Sequence, residues 1–397
     1  MKRILFLTDS PLDTHIRALK TLTTLSNEYL IHVIHRDEMA ADSPFHELKN
    51  VTYQSVPYTN HNFFSRTFFL GNDFSKSIEK ANNQKPITGY DMIYCVDLWT
   101  LAAGKKLSIK MNAKLVYDSY EICVETIPQY FPSKGASLKA MFFKCWVWLT
   151  KEIAFLYEKS LLNAVDFFIT TCDSYLNYFN DHYRIKRSVV VMNCPAMVDE
   201  VAAIDLHVMC GIEKQKKILL YIGNYNEGRK LEAIIESATY LKSDCHILFF
   251  GMGPLKDNLK KLAEQKSNVT ISGSFKMNET LSIIKGADLG ILLLEKKNLS
   301  KYLASANKVF DFLMAEKPMI LSDTPENKMV SDYSTNFMLL SDDTPQTIAK
   351  TVNEFLGRAH HSKTKLEIDK MTYAKSIFNW HHQETKLLEG INEVFKN

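Results

Sequence analysis

The sequence contains no CxxC pair, and its seven cysteines (Cys95, Cys123, Cys145, Cys172, Cys194, Cys210 and Cys245) are scattered and odd in number. Neither a disulfide framework nor a zinc cluster is indicated, and the thiols read as small core residues in a reducing compartment. An excess of one charge is also missing: a net charge of +3 over 397 residues argues against a nucleic-acid binder. No uncharged apolar run reaches the roughly eighteen residues that a membrane span needs. Met1-Lys2-Arg3 and Ile4-Leu5-Phe6-Leu7 begin like a secretion signal, but the apolar run stops at Thr8-Asp9-Ser10-Pro11. We read that run as a first strand and expect a cytoplasmic protein. Internal repeats and low-complexity tracts are absent too.

What the chain does contain is an alternation of short apolar strands with longer amphipathic stretches. In the first half, strands fit at Arg3–Thr8, Ile31–His35, Met92–Cys95, Lys114–Tyr117, Phe167–Thr171 and Val189–Met192. A second series fits at Lys217–Ile222, His246–Phe250, Val269–Ser272, Leu289–Leu294, Pro318–Ser322 and Phe337–Leu340, and a last helix at about Tyr373–Phe395. Such alternation implies parallel sheets covered on both faces. The length suits two α/β domains, joined by a linker near residues 196–215, and we expect two doubly wound, Rossmann-like domains facing a cleft. Ligands of such sheets bind outside the carboxyl ends of the strands. In the first half those loops carry Asp9–Thr14, Asp97, Asp118-Ser119-Tyr120-Glu121, Thr171–Ser174 and Asn193-Cys194-Pro195. Each alone reads most simply as a cap or a turn; their recurrence on one rim makes them candidates.

The loops of the second half are richer in phosphate-binding features. Gly223-Asn224 follows a strand, and Gly228-Arg229-Lys230 opens a helix; Arg229 offers a planar fork for phosphate oxygens. Gly251-Met252-Gly253-Pro254 follows the next strand, but a dinucleotide fingerprint would need a glycine where Lys256 stands, which excludes an NAD or FAD site. Gly273-Ser274-Phe275 ends the strand after that. Finally Ser305, Ala306 and Asn307 form a polar loop ahead of a short helix, with Asn307 as the expected cap and Lys308 adding a full charge. The free N–H groups and dipole of a helix start suit an anion. Asp311 is the odd residue, a carboxylate among Phe310, Phe312 and Leu313 that needs a partner. Two readings fit it: an ordinary ion pair with Lys308, or a ligand for ribose hydroxyls. Taken together the rim can hold a nucleotide, with the base at Gly251 and Phe275, the ribose at Asp311, and the phosphates at Arg229 and the 305–308 loop.

These residues, read in order, resemble the family 4 retaining glycosyltransferases of the GT-B fold, and the resemblance runs over almost the whole chain. Lys308–Pro318 is similar to the family's donor-binding helix. Gly223 with Arg229, the Gly-x-Gly-Pro of 251–254, and Gly273 followed by Ala287-Asp288 match its spacing. Val116–Glu121 resembles its Asp-x-His-Glu segment, Met192–Pro195 its Asn-x-Pro turn, and Phe378-Asn379-Trp380 the motif of a last helix that crosses back to the first domain. The resemblance implies an acceptor domain at residues 1–198, a nucleotide-sugar domain at 199–370 and a returning helix at 371–397. It also implies transfer of a hexosyl group from a nucleotide-diphosphate sugar to a glycan or lipid-linked glycan, with retention, as in bacterial surface polysaccharide assembly. Asp311 would hold the ribose, and Arg229 and Lys308 would neutralise the diphosphate without a metal or other cofactor. Gly223, Asn224, Gly251, Phe275, Ser305 and Asn307 would complete the donor site.

The chain departs from the family pattern at three points. Leu303 stands where the family usually carries a first acid, which leaves Glu295 or the main chain of 303–306 to act near the sugar. Tyr120 replaces the histidine of the Asp-x-His-Glu segment, where a phenol can still donate. The loop after the first strand, Asp9–His15, has no glycine, so Asp13 and His15 become acceptor candidates beside Asp97, Asp118 and Glu121. Two alternatives to a transferase stay open: a non-catalytic module that binds a partner transferase, and a nucleotide-sugar epimerase. Ser137–Leu162, rich in large apolar residues and interleaved with lysines, also has two readings. It is either a long core helix or an amphipathic helix lying on the inner membrane surface, with the protein peripheral on the cytoplasmic face.

Overall fold

The computed structural model of the chain describes residues 1–57, 72–84, 87–131, 137–334, 336–357 and 364–396. It divides into two compact units, Met1–Met192 with Glu384–Asn397, and Asn193–Gln383.

Unit 1 is built on a seven-stranded sheet of β1 (Arg3–Pro11), β2 (Leu30–Arg36), β3 (Val51–Val56), β4 (Met92–Val96), β5 (Lys114–Ser119), β6 (Phe167–Thr170) and β7 (Ser188–Val190). The order is β3-β2-β1-β4-β5-β6-β7 and every pairing is parallel. The central strands read as unbroken apolar runs because helices cover both faces; Ile4–Leu7 and Met92–Cys95 are all buried. The chain order reverses between β1 and β4, so the loops after those two strands flank a crevice of the kind where such sheets bind ligands. Strand β3 was not anticipated from the sequence. Val51–Val56 is an edge strand in which only Val56 is buried and Thr52 and Ser55 are exposed, so it lacks the apolar run of its neighbours.

Unit 2 carries β8 (Lys217–Ile222), β9 (Cys245–Phe250), β10 (Val269–Ile271), β11 (Leu289–Leu292), β12 (Met319–Ser322) and β13 (Phe337–Leu340). Its order is β10-β9-β8-β11-β12-β13, again parallel throughout, with the reversal between β8 and β11. The helix Asn307–Met314 packs on this sheet through Phe312: a Cβ at Gly290 of β11 would lie 2.2 Å from the Phe312 ring, so only glycine admits it. That contact sets the position of the helix start.

The expected single last helix is two helices, Lys365–Ile377 and Trp380–Lys396. Asn379 makes the break. Its Nδ2 donates to the carbonyls of Lys375 and Ser376, ending one helix, while its Oδ1 accepts from the N–H of His382, starting the next. From Glu384 onward the second helix belongs to unit 1: Tyr29 donates to Asn392 at 2.5 Å and its ring lies 5.3 Å from Phe395.

The long helix of unit 1, Leu138–Leu162, is anchored on its inner side by Val147, Ala154 and Leu161, and by one acid, Glu158. Glu158 is fully buried; Oε1 accepts from the Tyr117 hydroxyl at 3.0 Å and Oε2 from the Tyr183 hydroxyl at 2.6 Å. Burial pushes the carboxyl up to about 7, against the pull of those two donors. Because the folded pKa is raised, the folded state keeps a proton that the unfolded chain has already lost between about 4.5 and about 7. Stability from this group therefore falls as pH rises through that window. In Glu158→Gln the fall should disappear, shrinking the loss of urea-measured stability between pH 5 and pH 8 by roughly 2 kcal/mol. An unchanged pH profile would rule out Glu158 as the titrating group.

Candidate functional site

The rim of unit 2 is a shelf of interlocked loops. Gly223, directly after β8, donates to the Phe250 carbonyl at 3.0 Å, and Gly251, directly after β9, donates to the Gly273 carbonyl at 3.1 Å. Tyr225 donates to the Met252 carbonyl at 2.8 Å. A Cβ at Gly251 would come within 1.9 Å of the Gly223 oxygen, and one at Gly253 within 2.6 Å of the Tyr225 oxygen. The glycines are thus required by backbone meeting backbone.

Around this shelf stand the charged residues. Arg229 lies beside the Tyr221 hydroxyl; burial raises that phenol's pKa and the guanidinium opposes the rise. The Glu295 N–H donates to the Gly228 carbonyl at 2.9 Å, and Lys301 donates to the Glu227 carbonyl at 2.8 Å, so the loops after β8 and β11 are tied together at the point where the strand order reverses. Phe275 meets Phe250 edge to face at 6.3 Å, and the Lys308 ammonium sits 6.0 Å from the Phe275 ring centre. The same ammonium donates to Asp311 at 2.8 Å. The structure therefore contains the ion pair that the sequence offered as one reading of Asp311, and it places an aromatic face, a cation and a carboxylate side by side.

Other donor candidates are located less tightly. Asn224 is exposed, and its carbonyl accepts from the Tyr221 hydroxyl at 2.8 Å. Ser305 is half-buried ahead of the helix. Asn307 is not the cap: the capping position falls to Ala306, which is extended and has no side-chain acceptor, while Asn307 is the exposed first helical residue. The first N–H groups of this helix thus lack a side-chain cap. Leu303 closes the short helix Leu299–Leu303 and is half-buried. Lys301 and Tyr225 were not picked out from the sequence; one is a lysine of the short Leu299–Leu303 helix and the other a tyrosine in a turn, and neither has a local signature.

At the rim of unit 1 the buried residue Arg17, also unanticipated, organises the candidates. Its Nη1 donates to the Val191 carbonyl and its Nη2 to Asp118 Oδ1 at 3.0 Å, while Asp118 Oδ2 accepts from the Tyr94 hydroxyl at 2.6 Å. Asp118 is 0% exposed. The expectation that Asp118 contacts an acceptor is therefore corrected: both oxygens are taken up inside the protein, where the carboxylate offsets the buried guanidinium. Asp13 has a bracing part in the loops as well. Although exposed, it accepts from Ser43 Oγ and, at 2.7 Å, from the Ala40 N–H, so it braces the 40–43 loop.

His15, Asp97, Tyr120 and Glu121 remain at the rim. The Tyr120 ring lies 4.8 Å from the Arg17 guanidinium carbon and 5.9 Å from the His15 ring. The Tyr120 hydroxyl and His15 Nδ1 are buried polar atoms without a hydrogen-bond partner among the described residues, as is Thr8 Oγ1. Asp97 has a positive φ of 57°, a strained conformation for a residue with a side chain, and its Oδ1 accepts from the Tyr120 N–H at 2.8 Å. Burial, and secondly the nearby Glu121, push the Asp97 carboxyl well above its ordinary range.

Residues 216–358 match a family model described as glycosyl transferases group 1. No curated protein matches the chain by sequence. Among solved structures the chain is similar to sucrose-phosphate synthase of Thermosynechococcus elongatus, at 14% identity and a TM-score of 0.76 over 100% of both chains. It is similar to HepE of Anabaena, solved with UDP and glucose, at 13% identity and a TM-score of 0.72 over 99% of this chain and 100% of that one. It is also similar to WaaG, a glycosyltransferase involved in lipopolysaccharide biosynthesis, at 13% identity and a TM-score of 0.64 over 97% and 98%. The fold is GT-B. At such identities the likeness establishes the fold and leaves the chemistry to the rims.

The shelf itself can be probed. Gly251→Ala should lower the melting temperature, costing roughly 2 kcal/mol as the loops part. Gly273→Ala, whose Cβ would meet nothing within 4 Å, should melt like the parent. Equal melting of Gly251→Ala and the parent, followed by circular dichroism, would show that the two loops are not packed backbone to backbone.

Proposed function

We propose that the chain is a retaining glycosyltransferase that moves a hexosyl group from a nucleotide-diphosphate sugar to a glycan or lipid-linked glycan acceptor, in the assembly of a bacterial surface polysaccharide or glycoconjugate. The observation that carries the reading is the Lys308 ammonium placed between the Phe275 ring and the Asp311 carboxylate, at the rim of the unit that matches the glycosyl transferases group 1 model. HepE, a structure of the same fold, was solved with UDP and glucose, and WaaG is described as a lipopolysaccharide enzyme.

In this reading the base lies on the main-chain shelf of Gly223 and Gly251 beside Phe275, and Asp311 accepts from the ribose hydroxyls. Lys308 exchanges its bond to Asp311 for the diphosphate, which makes the resting ion pair a placeholder for the nucleotide. Arg229 meets the phosphates from the other side of the site, held in place by Tyr221. As the bond from the sugar to the leaving phosphate lengthens, negative charge builds on the diphosphate, and Arg229 and Lys308 stabilise it where it forms. The uncapped helix start at residues 305–307 adds main-chain donors to the same charge. Glu295, tied through its N–H to the Arg229 loop, is the acid available near the sugar in place of the family's first acid.

The acceptor is assigned to unit 1, with His15, Asp97, Tyr120 and Glu121 as its polar contacts. Unpartnered buried atoms on His15 and Tyr120 suit the hydroxyl groups of a sugar, and Asp97, whose carboxyl burial pushes well above its ordinary range, is bonded to the Tyr120 N–H beside them. The role division proposed along the chain is acceptor binding in residues 1–198, donor binding in 199–370, and a helix in 371–397 that returns to the first part.

Two measurements test this. Asp311→Ala should weaken binding of the matching nucleoside diphosphate, chosen from UDP, GDP and ADP by thermal shift, by about tenfold or about 1.4 kcal/mol. Unchanged affinity by calorimetry would refute the ribose role. With acceptor present, nucleoside diphosphate release should appear and should fall at least a hundredfold in Arg229→Ala, in line with the loss of one charge-stabilising donor. Binding without turnover on any acceptor would make the chain a binding module, and reversible isomerisation of the donor sugar would make it an epimerase.

A further inference from the structure

The helix Leu138–Leu162 is apolar on both of its sides, and only one of them is used. Its inner side carries Val147, Ala154, Glu158 and Leu161, all buried in unit 1. The opposite side carries Met141, Phe142, Trp148, Leu149, Ile153 and Leu156, all exposed; Phe142 is 75%, Trp148 59% and Leu156 64% accessible. At 100° per residue these positions fall within a stripe of about 140°, which runs for roughly 25 Å along the helix. Isolated exposed apolar residues are ordinary, but a continuous stripe of large side chains on one helix marks an interaction surface.

The charges on the same helix say what kind of surface it meets. Lys139 and Lys144 are exposed on opposite shoulders of the stripe, and Lys159 is exposed beyond its last turn. No acid on the helix is exposed: Glu158 is buried, and Glu152, which lies within the stripe between Trp148 and Leu156, is half-buried. Lys151, which would add a further charge, is spent on Glu125 at 2.7 Å. A second copy of the chain would bring lysines against lysines across the stripe. An anionic bilayer instead accepts apolar side chains between its head groups and places phosphates where the lysine ammonium groups reach. No described helix is long and apolar enough to cross a membrane, so the stripe lies on the surface. We propose that this face of unit 1 docks on an anionic lipid bilayer, with the Leu138–Leu162 helix parallel to the membrane plane. The proposal is independent of the donor-site reading, because it rests on a helix that carries none of the donor residues.

The test uses the full chain with sedimenting vesicles of phosphatidylcholine containing about one third phosphatidylglycerol, beside vesicles of phosphatidylcholine alone. The parent should pellet with the anionic vesicles, at least tenfold more weakly with the neutral ones, and should be released by high salt. Phe142→Glu with Trp148→Glu should abolish pelleting, while melting temperature and the thermal shift with nucleoside diphosphate stay as in the parent, since both positions are on the solvent side. Lys139→Glu with Lys144→Glu should remove the preference for anionic lipid. Absence of pelleting by the parent overturns the proposal, as does pelleting that survives the Phe142 and Trp148 changes. Light scattering that shows a dimer dissociated by those same changes would assign the face to self-association and overturn it too.

Discussion

Main chain packed against main chain is the constraint on which the rest of unit 2 depends. Gly251 faces the Gly223 carbonyl at a distance that leaves room for hydrogen and nothing larger, and Gly253 faces Tyr225 in the same way. Because no side chain separates them, the loops after β8, β9 and β10 hydrogen-bond sideways and continue the sheet beyond its last residues. That extension brings Phe275, from the edge of the sheet, within reach of Lys308, from the far side of the strand reversal. The packing of Phe312 over Gly290 completes the arrangement by fixing where the helix bearing Lys308 and Asp311 begins.

Unit 1 reaches the same end by buried charge. Arg17 gathers Val191, Asp118 and the face of Tyr120 around one guanidinium, and Arg36, fully buried, gathers Asp9, Asp73, Ser77 and the Pro57 carbonyl around another. Each arginine would be costly to bury alone; with these acceptors it becomes a rivet between loops distant in sequence. Asp118 is spent in this way, whereas the Tyr120 hydroxyl and His15 Nδ1 at the rim have no hydrogen-bond partner among the described residues. The strained backbone of Asp97 fits such a place, since strain persists where the surrounding structure holds it.

Much of the architecture was legible. The two series of apolar strands, the parallel pairing and the glycine turns follow from periodicity and composition, because a strand buried on both faces must be apolar throughout. What escaped was local and half-solvated: β3, an edge strand without an apolar run, and the break at Asn379, where a single amide satisfies both helix ends. Asn307 looked like a cap by residue type, but the chain turned helical one residue earlier than a cap there would require, and Ala306 took the position.

By itself the sequence determined the fold class, the placement of polar residues after strands, and the chemistry present at Arg229, Lys308 and Asp311, since these depend on residue type and on spacing along the chain. Only the tertiary structure decided which of those polar residues stay available. Asp118 and Asp13 carry the same carboxylate as Asp97 and Asp311, yet the first is enclosed by Arg17 and Tyr94 and the second braces a loop. It also decided that one side of the Leu138–Leu162 helix is core and the other is exposed, because an all-round apolar helix has no periodicity from which the choice could be read. Partners distant in sequence set both outcomes, and no local pattern encodes them.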